Sequence, residues 1–245
     1  MKSVRLACFA VALLLMTADL ASAVAAGPAQ EADAYGEEDD YAQSVAISDP
    51  IEPWNRAMYQ FNDKLYFWVL KPAAQGYSFV VPESGRAVVH NVYDNVRAPI
   101  RIVNNLLQLK IEQSGTEVGR FFINTIVGLA GMWDPAKDYW GLKPFPEDLG
   151  QTFGHYGLGC GFYIVWPFLG PSSVRDSFGL GGDLFLNPVN YIQPVYVPYV
   201  IEAHRTVNET SLHMGDYEAL KQAALDPYLS LRDAYAQNRN KEVSE

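Results

Sequence analysis

"EPWNRAMYQFNDKLYFWVLKP", residues 52–72, decides the architecture. Trp54, Met58, Phe61, Leu65 and Trp68 recur at steps of three and four, the period of one helical face. Pro53 suits a first helical turn and Pro72 a stop. Asn55, Arg56, Asn62, Asp63 and Lys64 fall on the other face. Tyr59, Tyr66 and Phe67 widen the apolar side beyond what a narrow core seam needs. The stretch predicts an amphipathic helix with more grease than one buried stripe.

The same period continues downstream. In "SGRAVVHNVYDNVRAPIRIVNNLLQLK", residues 84–110, Val88/Val89, Val92, Val96, Ile100, Val103 and Leu106/Leu107 repeat helically, and Pro99 should kink or break the run. Its β-branched residues leave a strand open as the alternative. "IEQSGTEVGRFFINTIVGLAGMWDPAKD", residues 111–138, begins polar and turns apolar from Phe121 to Trp133. Read as helix, those residues span about 20 Å at 1.5 Å per residue. That is too short for a bilayer hydrocarbon of about 30 Å and ample for one leaflet of about 15 Å. Residues 199–224 and "DPYLSLRDAYAQNRN" read as amphipathic helices, the second with Asp226 as N-cap and Pro227 behind it. Regularly spaced alternating strands are missing, which argues against a β-barrel.

At the other end, Lys2 and Arg5 precede an apolar run from Leu6 to Met16, and "ASA" at 21–23 and "AVAA" at 23–26 offer small residues for cleavage. Residues 1–26 read as a cleaved signal peptide, with an N-terminal anchor as the weaker alternative. Cys8 falls inside it, so Cys160 is the one cysteine of the mature chain and no internal disulfide is expected. The formal net charge of −10 is concentrated in residues 27–52, which carry eight acidic side chains and no Lys or Arg. Residues 27–48 therefore read as an acidic flexible leader, residues 49–240 as one helical domain and 241–245 as a tail. The body is nearly neutral and has no basic stripe, which excludes nucleic acid as a partner class.

"GQTFGHYGLGCGFYIVWPFLGPSSVRD", residues 150–176, contains the vocabulary of an active site. Ser172 and Ser173 lack the G-x-S-x-G setting of a hydrolase, and Ser173 suits a helix cap. His155 has no acid or nucleophile at a readable spacing. Cys160 has no nearby cation to activate it. His90, His155, His204 and His213 are too dispersed for a metal site. "GLGCG" lacks a P-loop lysine, and "GLGG" at 179–182 reads as a turn. Neither catalysis nor a cofactor is expected. Glycines instead allow close packing around "FYIVWPFL", while Trp133, Tyr139, Trp140, Tyr156, Tyr163 and Trp166 flank the apolar runs as membrane-interface aromatics do.

Four blocks in order resemble the MlaA/VacJ family of outer-membrane lipid-transport proteins: "DPIEPWNRAMYQFN" (49–62), "RFFINTIVGLAGMWD" (120–134), "EDLGQTFGHYGLGCGFYIVWPFLGPSSVRD" (147–176) and "DPYLSLRDAY" (226–235). The resemblance covers about 49–240. It implies a mainly α fold, a ring of amphipathic helices embedded in one membrane leaflet around an amphipathic channel. It further implies phospholipid transport that maintains outer-membrane lipid asymmetry, with trimeric porins and a soluble periplasmic MlaC-like carrier as partners. On that reading Asn55, Phe61, Asn62, Asn124, Thr125, Gln151, Thr152, His155 and Tyr156 belong to the lipid passage or its rim, and the packing of Phe61 and Asn62 sets whether it is open. Phe121, Phe122, Ile126, Val127, Leu129, Trp133, Phe162, Ile164, Val165, Trp166 and Phe168 would lie in the membrane. Arg120, Asp134, Arg175 and Asp176 would form structural ion pairs. The family pattern of a lipobox cysteine ending the signal is not met, since Cys8 lies too early, so the lipid anchor is in doubt. A secreted lipid hydrolase and a porin-associated structural protein are the alternatives.

Overall fold

Pro53 starts helix α1, Glu52–Leu65, in the first turn, where its missing N–H costs nothing. The computed structural model describes residues 47–244. The signal peptide, most of the acidic leader and Glu245 lie outside the described residues. Ile47 and Ser48, read from sequence as leader, belong to the folded body: Ile47 is buried in the apolar cluster and Ser48 bridges Phe162.

Pro72 does not stop the helix. A single π-helical turn, Tyr66–Leu70, carries the chain into α2, Lys71–Val80. Pro72 has no N–H to offer Trp68, and the widened turn, in which Lys71 N–H reaches back to the Tyr66 carbonyl, accommodates its ring. The break at Pro99 does occur. It separates α3, Glu83–Val96, from α4, Ala98–Leu107.

Helix α5, Ile111–Ile126, ends well before Trp133. The apolar run 121–133 is helical only to Ile126 and then folds back through Leu129, Ala130 and Gly131, all with positive φ. Two glycines enforce this. A Cβ on Gly128 would lie 2.5 Å from the carbonyl oxygens of Asn124 and Trp133, and one on Gly131 would lie 2.6 Å from the Asn95 side chain. The expected one-leaflet helix is thus a helix end plus an apolar turn.

After the short α6, Pro135–Asp138, an extended segment leads to α7, Leu149–His155. A β-hairpin follows, β1 Tyr163–Trp166 against β2 Gly170–Ser173, with Tyr163 opposite Ser173 and Trp166 opposite Gly170. Ser173 caps α8, Val174–Leu186, accepting from Asp176 N–H. The "GLGG" motif lies inside α8 rather than in a turn, because Gly179 lets this helix touch α7. A Cβ there would meet Gly150 N at 2.3 Å. A 3-10 turn, Pro188–Tyr191, precedes α9, Val197–Leu212, then α10, Asp216–Ala223, and α11, Pro227–Ser244, whose first N–H groups are capped by Asp226.

The packing order closes into a circuit. α1 continues through the π turn to α2, α2 packs on α9, α9 on α3, α3 on α4, α4 on α7 and α8, and these on α11 and the hairpin, which returns to α1. A mainly α ring results. Its burial is inverted: among the described residues, buried polar and charged side chains outnumber buried apolar ones, while large apolar side chains crowd the exposed surface. Phe79 is 92% exposed, Phe185 76% and Ile126 72%. No helix among the described residues is long and apolar enough to cross a membrane.

The α7–α8 contact gives a first prediction. Gly179→Ala should destabilise by about 1–3 kcal/mol through overpacking, lowering the melting temperature in detergent, while Gly181→Ala, inside the same helix with open space around it, should not lower it.

Candidate functional site

Non-helical backbone threaded through the ring is held by side chains of the helices. Asn55 is 0% exposed, and its amide is fully used: Nδ2 donates to the Tyr163 carbonyl at 2.9 Å and to Asp49 Oδ1 at 2.7 Å, and Oδ1 accepts from Val165 N–H at 2.7 Å. Two turns on, Asn62 Nδ2 donates to the Trp166 carbonyl at 2.9 Å, and its Oδ1 accepts from Phe168 N–H at 2.8 Å. Two amides seven residues apart on one helix therefore stand in for a neighbouring strand along the free edge of β1. Ser48 begins that edge by accepting from Tyr163 N–H at 2.8 Å. Phe168, with positive φ, packs edge-on to Phe61 at 5.0 Å and closes the hairpin turn against α1.

The second clamp lies on α5. Arg120 donates to Asp134 at 2.7 Å and to the Leu142 carbonyl, while Asn124 donates to Asp134 at 2.9 Å and accepts from Ala136 N–H at 3.1 Å. Burial raises the Asp134 carboxyl, but the Arg120 and Asn124 hydrogen bonds outweigh it and leave it below the usual carboxylate value. Glu117, 0% exposed, takes Arg101 at 2.7 Å and Phe145 N–H at 2.7 Å. Asn105 donates to the Phe145 carbonyl at 3.1 Å. Gln108 and Lys110 both reach Glu147 at 2.7 Å, so the extended segment 142–148 is tied down along its length.

A third network joins α4, α7, α8 and α11. Thr152 Oγ donates to Asn104 at 3.0 Å, and Asn104 donates to Asp183 at 2.9 Å. Gln151 is buried between Glu147 and Arg239. Arg175 meets Asp176 at 2.9 Å, and Arg239 joins Asp176 at 2.9 Å to Asp148 at 2.8 Å. Burial alone would raise the Asp176 carboxyl, but Arg239, Arg175 and the Tyr235 hydroxyl hold it well below the usual range. Asp183 is different. Burial outweighs its hydrogen bonds from Leu149 N–H and Asn104 and the attraction of Arg97, and pushes it up to about 6.

Among the candidate passage residues, Asn55, Asn124, Gln151 and Thr152 are buried and hydrogen-bonded inside the protein. Asn62 and Thr125 are half-buried, Asn62 on the hairpin and Thr125 accepting from Asn95 at 2.9 Å. Phe61, His155 and Tyr156 keep exposed surface, with His155 edge-on to Tyr156 and the Tyr156 hydroxyl donating to the Leu107 carbonyl. Among the apolar residues, Phe122, Ile126, Val127, Leu129, Trp133 and Phe162 are exposed, while Phe121, Ile164, Trp166 and Phe168 are half-buried. Val165 is 1% exposed and packs with Tyr163, because strand alternation turns both inward. Ser173 is fully buried and caps α8. No cluster of metal-ligating groups occurs among the described residues. Sequence reasoning missed Glu117, Asn104, Asn105 and Gln108; for the last three the signal was polar residues set among leucines in "VNNLLQLK".

Similarity to known proteins agrees with this arrangement. The sequence profile of the MlaA lipoprotein family matches residues 47–242. The chain belongs to the MlaA lipoprotein family. The Escherichia coli (strain K12) protein named intermembrane phospholipid transport system lipoprotein MlaA is 33% identical over 202 residues, covering 79% of this chain and 77% of that one. An uncharacterised Rickettsia bellii protein is 32% identical over 200 residues, 80% of this chain and 77% of its own. A solved structure described as the structural basis for maintenance of bacterial outer membrane lipid asymmetry superposes with a TM-score of 0.70 at 29% identity, over 80% of this chain and 99% of that chain.

Two outcomes follow for the family fold as built here. Asn55→Ala strands Val165 N–H and the Tyr163 carbonyl, at about 1–3 kcal/mol for each buried group left unpaired, and thermal melts should show the loss. Asp183 should titrate near pH 6 by carboxyl NMR. A folded value above the unfolded one means its stabilising contribution is full below the ordinary carboxylate range and is lost as pH rises through about 6.

Proposed function

We propose that this protein carries phospholipids from the outer leaflet of a bacterial outer membrane, through its ring, to a soluble carrier in the periplasm, and so maintains lipid asymmetry. The observation that carries this reading is the inverted burial: a ring sealed by polar networks that leaves large apolar side chains exposed. An exposed surface of that kind is stable in a lipid leaflet and would aggregate in water. Aromatic groups such as Tyr139, 84% exposed, with Trp140 beside it, and exposed Trp133 suit the level of the head groups.

Phospholipid transfer poses two physical demands. Each methylene exposed to water costs about 0.8 kcal/mol, so two acyl chains cannot leave the bilayer uncovered. The charged head needs water or polar partners, because an unsolvated charge in hydrocarbon is far costlier. A short ring within one leaflet meets both, with apolar walls for the chains and a wet opening for the head. Phe61, His155 and Tyr156 are the rim groups this reading retains. On this reading the ring occupies the inner leaflet, the one that faces the periplasmic carrier, and trimeric porins are the partners that would bridge the remainder. The same apolar belt would hold the ring in the leaflet with or without an acyl chain, since one acyl chain gives only marginal binding.

Family membership and the buried cap at Ser173 favour transport over lipid hydrolysis. Deleting the gene should raise the phospholipid accessible to an impermeant amine label at the cell surface, with porin levels unchanged, and the wild-type chain should restore the barrier. Purified protein should release no fatty acid from phospholipid vesicles. Unchanged surface labelling in the deletion strain, or fatty-acid release lost on Ser173→Ala, would overturn the reading.

A further inference from the structure

One face of α5 is left uncovered along its whole length. Ser114, Glu117, Arg120 and Asn124 are the buried residues of this helix and turn inward. Ile111, Val118, Phe122 and Ile126, spaced seven, four and four, are exposed and form a single line on the far side. Gly115 falls in the same line, and a Cβ there would meet nothing within 4 Å. The line begins at the first residue of the helix and ends at its last.

Beyond each end stands an exposed leucine. Leu109, 74% exposed, precedes α5, and Leu129 follows it. Both have positive φ, at 61° and 51°. That region of backbone suits glycine, and a leucine there is strained. Neither leucine offsets the strain by packing inside the protein, so the surroundings of the helix must supply the contact.

Length decides how such a helix can lie. The 16 residues of α5 rise about 24 Å, whereas the hydrocarbon of one leaflet is about 15 Å deep. An upright α5 would leave either Ile111 or Ile126 outside that layer. Both ends fit only if the axis lies within about 40° of the bilayer plane. Polar groups agree with this orientation. Exposed Glu112 and half-buried Thr116 fall on one flank, about 100° and 140° round from Ile111. In a helix lying flat that flank turns to head groups and water along the helix. The Thr116 hydroxyl is also satisfied locally, donating to the Glu112 carbonyl at 2.9 Å.

We propose that α5 lies flat in the leaflet, with the line from Ile111 to Ile126 against acyl chains throughout. This rests on the leaflet reading above and fixes the orientation of one helix within it.

Depth measurements along the helix test the proposal. Ile111→Cys, Val118→Cys, Phe122→Cys and Ile126→Cys, each in a background without Cys8 and Cys160, would carry a bimane in phospholipid vesicles. The quenchers are lipids brominated near the head group or near the chain end, and iodide in the water. The ratio of quenching by the two lipids should be the same at all four sites. Iodide should be several-fold less effective at each of them than at a bimane on Glu112→Cys. Iodide that reaches Ile111 as freely as Glu112, with Ile126 still quenched by lipid, overturns the flat orientation and leaves the leaflet reading standing. Free access of iodide to all four sites overturns both. Sites quenched by neither lipid nor iodide are covered by protein, which also overturns the proposal.

Discussion

Backbone that is neither helix nor closed barrel has no water to turn to inside a bilayer, so the protein itself must supply its partners. That constraint explains where this chain spends its buried polar residues. Asn55 and Asn62 complete the free edge of β1, Asn124 and Arg120 hold the return after α5, and Glu117 and Asn105 bind the extended segment at Phe145. Each places an amide, carboxylate or guanidinium where a second strand or water would otherwise be needed. A buried N–H left without acceptor costs more than a made bond gains, so these clamps act mainly by preventing a loss.

The clamps reverse the usual division of labour. In water, apolar burial supplies most of the drive to fold; here the apolar cluster among the described residues is a small one of Ile47, Tyr163, Val165, Tyr228, Tyr235 and Ala236. Helices in lipid gain little from hiding apolar surface from one another and associate through packing and interhelical polar contacts. Arg239 between Asp148 and Asp176, and Arg120 against Asp134, are contacts of that kind. Removing one partner of such a pair costs about 3–5 kcal/mol, because it leaves a charge buried and alone. An apolar exterior and a polar interior are then two sides of one solution.

Much of the fold was legible in the sequence, and what was not has identifiable causes. The period of three and four in residues 52–72 marks α1, and Pro99, Ser173 and Asp226 punctuate helices where their chemistry says they should. Pro72 misleads because a π turn can absorb a missing N–H, and a local rule does not foresee the wider turn. The run from Phe121 to Trp133 misleads because hydropathy is blind to the close approaches that Gly128 and Gly131 permit. Asn55 and Asn124 look in sequence like polar groups facing a channel. A residue that faces a lumen and one that grips a distant carbonyl have the same pattern, and the partner of Asn55 is 108 residues away. Val165 sits in a four-residue strand, too short for its alternation to stand out within an apolar run.

The central claim is that the exposed apolar surface faces lipid while the polar groups are sealed inside. Spin labels at Ile126 and Leu129, on the turn after α5, test it most directly in reconstituted bilayers. Collisions with oxygen, which dissolves in hydrocarbon, should exceed those with a water-soluble nickel chelate at both sites. Labels that meet the nickel chelate as freely as one placed on exposed Lys241 would contradict the account.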